Sequence, residues 1–189
     1  MKAVITPDSR FELFNQYPRE IPKVFLGGSI EMGKAKNWQE MAIEALDECI
    51  IFNPRRDDWD SSWEQIPSPD TQFGQQVEWE IRAQQNSDII IYNFESDTQS
   101  PITLLELGFS FNLPAHKVVC CPKEYFRHGN VVITTNLLGG DKSMVFTNFD
   151  EMLQSVKWKI NDLKYKNNCS FSEWVNMNQG ISDVETNKV

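Results

Sequence analysis

Four consecutive residues, Ile89, Ile90, Ile91 and Tyr92, form an unbroken apolar, β-rich run. A strand with one wet face alternates polar and apolar residues. A run without alternation is buried on both faces, which indicates a parallel sheet with helices packed on either side. Downstream, Ser100 and Pro101 are the residue types of a helix N-cap and first helical position, opening a helix through Thr103, Leu104, Leu105, Glu106 and Leu107. Such a strand-loop-helix unit brings the helix start to the carboxyl end of the sheet, where open α/β folds bind ligands. Leu104, Leu105, Leu107, Phe109 and Phe111 leave this helix little polar face, so Glu106 is the first catalytic candidate. Burial raises a carboxyl pKa while a helix dipole and nearby donors lower it, and the sequence leaves that balance open.

The remaining pattern repeats strand and helix. Lys23 to Gly27 reads as a first strand, and Gly28-Ser29 turns into a helix over about 35–48 with Trp38, Met41, Ala42, Ala45 and Leu46 at helical spacing. Cys49 to Phe52 is a second strand. The segment 53–73, rich in Asp, Trp and Pro, is too long for an ordinary connection and is predicted to cover a site. A helix over about 74–86 leads into the third strand, and a fourth strand spans Lys117 to Cys121 after the Glu106 helix. Val131–Thr135 and Met144–Phe146 are expected to supply a further strand, and Phe149–Lys164 a final amphipathic helix. This predicts a flavodoxin-like three-layer sandwich with a parallel sheet of about five strands, ordered 2-1-3-4-5. An N-terminal arm (1–22), an α/β domain (23–167) and a C-terminal segment (168–189) complete the expected organisation.

A formal net charge of -9 over 189 residues argues against binding a nucleic-acid polymer and favours a small polar substrate. No stretch is apolar enough to span a bilayer and the first residues lack the apolar core of a signal peptide, so a cytoplasmic protein is expected without a membrane partner. Cys49, Cys120, Cys121 and Cys169 have no zinc-like spacing and read as reduced thiols. With His116 and His128 as the two histidines, neither a metal site nor a histidine-based hydrolytic triad is indicated. No cofactor is implied.

In the expected strand order, Gly28 and Ser29 lie beside the 95–101 loop at the switch point, and Asn53-Pro54-Arg55-Arg56-Asp57-Asp58 reaches the same edge. Gly27-Gly28-Ser29 permits close backbone approach and presents amides at a helix start. The charges of the Arg-Asp run also read as self-compensating. Taken in order, VFLGGSIEMG, NPRRDDWD, VEWEIRAQQNSDIII and SPITLLELG resemble the nucleoside 2-deoxyribosyltransferase-like family across roughly 23–122. The resemblance implies a flavodoxin-like fold and cleavage of the N-glycosidic bond of a nucleoside or nucleotide. Glu106 of the ELG motif would be the nucleophile. Glu80, eight residues before Asp88, would be the acid where the family usually has aspartate. Gly28, Ser29, Arg55, Asp57, Asp58, Trp59 and Ser100 are the candidate substrate-binding residues, with Asp57 or Asp58 a candidate helper of Glu80 as acid, and the resemblance implies a homo-oligomer in which a neighbouring subunit completes the site. Trp59, Trp63 and Trp79 are base-stacking residues or packing residues. Deoxyribosyl transfer between bases is the leading expectation. Hydrolysis of a nucleoside 5'-monophosphate, cleavage of NAD and a non-catalytic nucleotide-binding module are the alternatives. Glu31 and Met32 depart from the residues that bind phosphate in the hydrolytic branch, whereas Ser100 matches that branch.

Overall fold

The computed structural model describes residues 1–8, 16–30, 37–56 and 63–168. Six parallel strands form one sheet in the order β1-β3-β2-β4-β5-β6. They are β1 (Ala3–Ile5), β2 (Lys23–Gly28), β3 (Ile50–Phe52), β4 (Ile89–Asn93), β5 (His116–Cys120) and β6 (Ser143–Phe146). The helices are α1 (Trp38–Ala45), α2 (Gln72–Gln85), α3 (Pro101–Ser110), α4 (His128–Gly139) and α5 (Phe149–Asn168).

The buried run of β4 explains the layering. Ile90 and Tyr92 point into one cluster with Phe25, Ile50, Phe52 and Val119, closed by Trp79 and Ala83 of α2, Leu107 of α3 and Val131 of α4. Ile89 and Ile91 point into the other with Val24, Leu26, Ile51 and Val118, closed by Trp38 and Ala42 of α1 and Met152, Val156 and Ile160 of α5. Every residue of β4 is buried because both faces are covered, which is what an unalternating apolar run requires. The expected 2-1-3-4-5 core is present as β3-β2-β4-β5-β6.

Three local expectations change. The first is β1, which adds an edge strand where an arm was expected, pairing Ala3 with Ile50 and Ile5 with Phe52. At three residues it is too short to show periodicity. Val131–Thr135 lies in a helix rather than a strand. Consecutive parallel strands β5 and β6 need a crossover between them, and Val131 and Thr135, four apart, are the buried face of α4. Finally, α1 ends at Ala45 because Leu46 turns extended (φ -95, ψ 134) and drives its side chain into the core. The long segment 53–73 is described except for 57–62, and α2 begins within it at Gln72. No helix among the described residues is long and apolar enough to cross a membrane.

The end of β2 shows why a glycine is needed there. Gly28 has φ +154, and a Cβ on it would lie 2.5 Å from the Asn93 carbonyl oxygen and 2.7 Å from the Trp38 ring. Beside it, Ser29 donates its amide to the Asn93 oxygen (2.9 Å), while Trp38 Nε1 donates to the Ser29 oxygen (3.0 Å). Gly28→Ala is therefore expected to lower unfolding free energy by about 2 to 4 kcal/mol, from overpacking plus backbone strain. Urea denaturation checks this through a lower midpoint at unchanged slope.

Candidate active site

Gln76, Glu80 and Gln84 recur every four residues along α2 and form one stripe of the helix. Trp79 and Ala83, on the adjoining stripe, fix the helix's rotation by burial, and Trp79 meets Phe52 edge-on at 6.3 Å. Thr71 starts the helix, its hydroxyl accepting the Gly74 amide at 3.0 Å. On α3, Thr103, Leu107 and Ser110 are buried, and Glu106 sits on the shoulder of that face.

These two helices bring the predicted catalytic residues together. Gln76 Nε2 donates to Glu80 Oε1 (2.8 Å) and to the Pro54 carbonyl (3.0 Å) at the end of β3. Gln84 Nε2 donates to Glu106 Oε1 (2.7 Å), and the Tyr92 hydroxyl lies 2.8 Å from Gln84 Oε1 and 3.0 Å from the Glu106 main-chain oxygen. Arg82 engages Glu78 instead, so it leaves Glu80 to the crevice side of the helix. Both carboxyls are half-buried. Burial pushes both well above the ordinary carboxylate range. The charge of Glu80 raises Glu106 further, and the single glutamine donor on each only partly offsets this. The balance left open by the sequence is thus decided by burial. The charge of Glu80 disfavours ionisation of Glu106 on top of burial, so the pair retains a proton above the usual range.

A second cluster occupies the switch point between β2 and β4. The hydroxyls of Ser29, Thr98 and Ser100 form a buried triangle, with Ser29–Thr98 and Thr98–Ser100 at 2.8 Å and Ser29–Ser100 at 2.5 Å. The Glu95 amide donates to Ser29 Oγ (3.1 Å) and Thr98 Oγ1 donates to the Glu95 oxygen (2.9 Å). Ser100 does occupy the N-cap position of α3, but in a left-handed conformation (φ 47, ψ 49) with no side-chain capping bond. Its hydroxyl is directed at the triangle instead.

Arg55 is half-buried, donating its amide to Asn53 Oδ1 (3.1 Å) and its guanidinium to Gln39 Oε1 (3.3 Å). Among the described residues, Gln39 Nε2 and Gln76 Oε1 are buried without a hydrogen-bond partner. Gln39 meets the Arg55 guanidinium and Gln76 the Pro54 carbonyl, and both unpartnered atoms are closed off from solvent. Asp57, Asp58 and Trp59 lie outside the described residues. Trp79 is a core residue, and the Arg56 guanidinium lies 5.6 Å from the Trp63 ring centre. Cys49, Cys120 and Cys121 are buried free thiols, pushed up to about 11, 12 and 12 by burial, and are poor nucleophiles. Among the described residues no cluster of His, Cys, Asp and Glu could hold a metal ion. Sequence reasoning missed Gln76, Gln84 and Thr98. The repeat of four through Glu80 was the signal for the two glutamines.

A profile of the family described as nucleoside 2-deoxyribosyltransferase like matches residues 21–125, more than half of the 189-residue chain. No curated protein matches the sequence.

The raised pKa values carry a stability consequence. Each carboxyl is ordinary in the unfolded chain and raised in the folded one, so its contribution is fully present below about pH 4.5 and is lost as pH climbs through the raised values. Glu80→Gln and Glu106→Gln are each expected to raise the melting temperature by a few degrees at about pH 8 and to leave it nearly unchanged at about pH 4. Calorimetry across that range checks the sign. An equal effect at both pH values would contradict it.

Proposed function

The chain belongs to the nucleoside 2-deoxyribosyltransferase-like family, and we propose that it cleaves the N-glycosidic bond of a nucleoside and passes the 2-deoxyribosyl group to another base. The observation that carries the proposal is geometric: Glu80 and Gln84 lie one turn apart on α2, Gln84 Nε2 donates to Glu106 Oε1 of α3, and neither half-buried carboxyl has a cation among the described residues to neutralise it. A structural glutamate pair would normally be ion-paired or solvated. A pair kept poised to hold a proton supplies the two states that glycosyl transfer needs.

In the first half-reaction the ionised Glu106 attacks C1', the bond from C1' to the base nitrogen breaks with its electron pair leaving on the base, and the protonated Glu80 delivers a proton to that base. The product is an ester between Glu106 and the sugar. Positive charge on the sugar ring grows before the ester forms, and the Glu106 carboxylate stabilises it. In the second half-reaction an acceptor base attacks C1', Glu80 takes up the acceptor's proton, and Glu106 leaves as carboxylate. In the free pair the charge of Glu80 favours leaving the retained proton on Glu106, and substrate reverses that arrangement, since the developing cation lies toward Glu106 and the basic nitrogen toward Glu80.

The triangle of Ser29, Thr98 and Ser100 favours a nucleoside over its 5'-monophosphate, because these hydroxyls are buried and bonded to one another. Glu95 adds a carboxylate at this end of the crevice, with its Oε1 accepting from Asn93 Nδ2 at 2.9 Å. Like charge there opposes a phosphate dianion.

The test is base release from deoxynucleosides, ribonucleosides, their monophosphates and NAD, each with and without a second free base, followed by chromatography. Release that depends on the added base supports transfer. Release without it points to hydrolysis, and nicotinamide release alone to NAD cleavage. Glu106→Gln is expected to lower release by roughly a thousandfold or more, because its carboxylate acts mainly in the transition state. Glu80→Gln is expected to lower it by about 10² to 10⁴-fold, least for bases that leave readily unprotonated. Turnover of Glu106→Gln near that of the unmodified protein would contradict the mechanism.

A further inference from the structure

We propose that Gln84, itself held by Tyr92, is a positioning residue that fixes the orientation of the Glu106 carboxylate and selects which of its oxygens meets the sugar. This rests on the nucleophilic role given to Glu106 above. The carboxyl group ends a flexible side chain on the shoulder of α3, and a reacting carboxylate must approach C1' along one direction within a few tenths of an ångström. Two donors restrict it, the Gln84 amide on the carboxylate and the single Tyr92 hydroxyl proton, which Gln84 Oε1 and the Glu106 main-chain oxygen share. Gln84 Nε2 to Glu106 Oε1 measures 2.7 Å, Tyr92 hydroxyl to Gln84 Oε1 2.8 Å, and Tyr92 hydroxyl to the Glu106 main-chain oxygen 3.0 Å. Together they tie β4, α2 and α3 into one triangle around the candidate nucleophile.

An amide presents a donor on one side and an acceptor on the other, and which side faces Glu106 decides whether a carboxylate or a carboxylic acid is favoured. With the Tyr92 hydroxyl on its oxygen, the Gln84 amide turns its N–H to Glu106. That bond occupies Oε1 and leaves Oε2 as the oxygen offered to C1'. Gln84 and Tyr92 are both fully buried, so water reaches the Gln84–Glu106 bond only from the side of the half-buried carboxylate. Among the described residues, the titratable groups facing Glu106 are Glu80 from α2 and the neutral Tyr92 from β4. A donated N–H is the contribution that opposes both burial and Glu80 in keeping Glu106 ionised.

The test uses Gln84→Leu and Tyr92→Phe. Leucine fills a similar volume without a donor, and the Tyr92 hydroxyl keeps the Glu106 main-chain oxygen as acceptor. Phenylalanine keeps the ring in the core while freeing the amide to rotate, so it also serves if the leucine variant does not fold. Two readouts are taken on the full chain: the titration of Glu106 by carbon NMR of labelled glutamate carboxyls, and kcat and KM for base release against pH. Gln84→Leu is expected to move the Glu106 titration and the acid limb of kcat upward by about one pH unit. At acidic pH it is expected to lower kcat by about 10- to 100-fold with KM changed less than about twofold. Tyr92→Phe is expected to shift the same quantities in the same direction by less. A titration unmoved in both variants, with any rate loss equal at every pH, would overturn the assignment. If the titration moves but no substrate releases a base even from the unmodified protein, the positioning role stands and the nucleoside reading falls.

Discussion

Two carboxyl groups placed close together in a partly dry crevice repel each other once both are charged, and much of this structure serves to hold them there. Their environment disfavours ionisation, their mutual charge disfavours it further, and no cation among the described residues relieves either group. Such a pair lowers stability at neutral pH. It persists because each member hangs from a helix whose opposite contacts are deep in the core. Trp79 and Ala83 fix α2, and Leu107 fixes α3, so neither helix can turn its acid out to water without opening a buried cluster.

The sheet supplies the meeting point. With β2 at the centre and its successors placed on either side, the chain ends of β2, β3 and β4 converge on one crevice. Gly28 lets β2 approach Asn93 of β4 closely, the Ser29–Thr98–Ser100 hydroxyls seal that junction, and Pro54 at the end of β3 anchors Gln76 through its carbonyl. The glutamine stripe of α2 connects these parts, since one amide reaches each acid. Electrostatic preorganisation of this kind is built from uncharged groups, which orient a carboxylate without quenching its charge.

Much of the fold was legible because its signals are local and redundant. The unbroken Ile89–Tyr92 run carried the parallel sheet, and the helical spacing around Trp38 and along 149–164 carried helices on both faces. Edge strand β1 was not legible, because three residues paired to a distant strand leave no periodic trace. The α4 segment misled for a different reason. Val131, Val132, Ile133, Thr134 and Thr135 are β-branched, yet parallel pairing of β5 and β6 demands a crossover there. For the site, Glu106 stands out as a charge in an apolar helix, whereas nothing local in the sequence marks Gln84, which the fold buries against Tyr92. Ser100 was read as a cap by residue type, but its partner Ser29 lies 71 positions away, and no local pattern encodes that bond.

The proposed transfer requires Glu106 to bond covalently to the sugar during turnover. Acid quenching during reaction with a deoxynucleoside, followed by proteolysis and mass spectrometry, reads this directly. The expected result is a deoxyribosyl adduct on the peptide carrying Glu106, formed without acceptor base and discharged when one is added. Base release that proceeds with no adduct on that peptide, or an adduct located on Glu80, would contradict it.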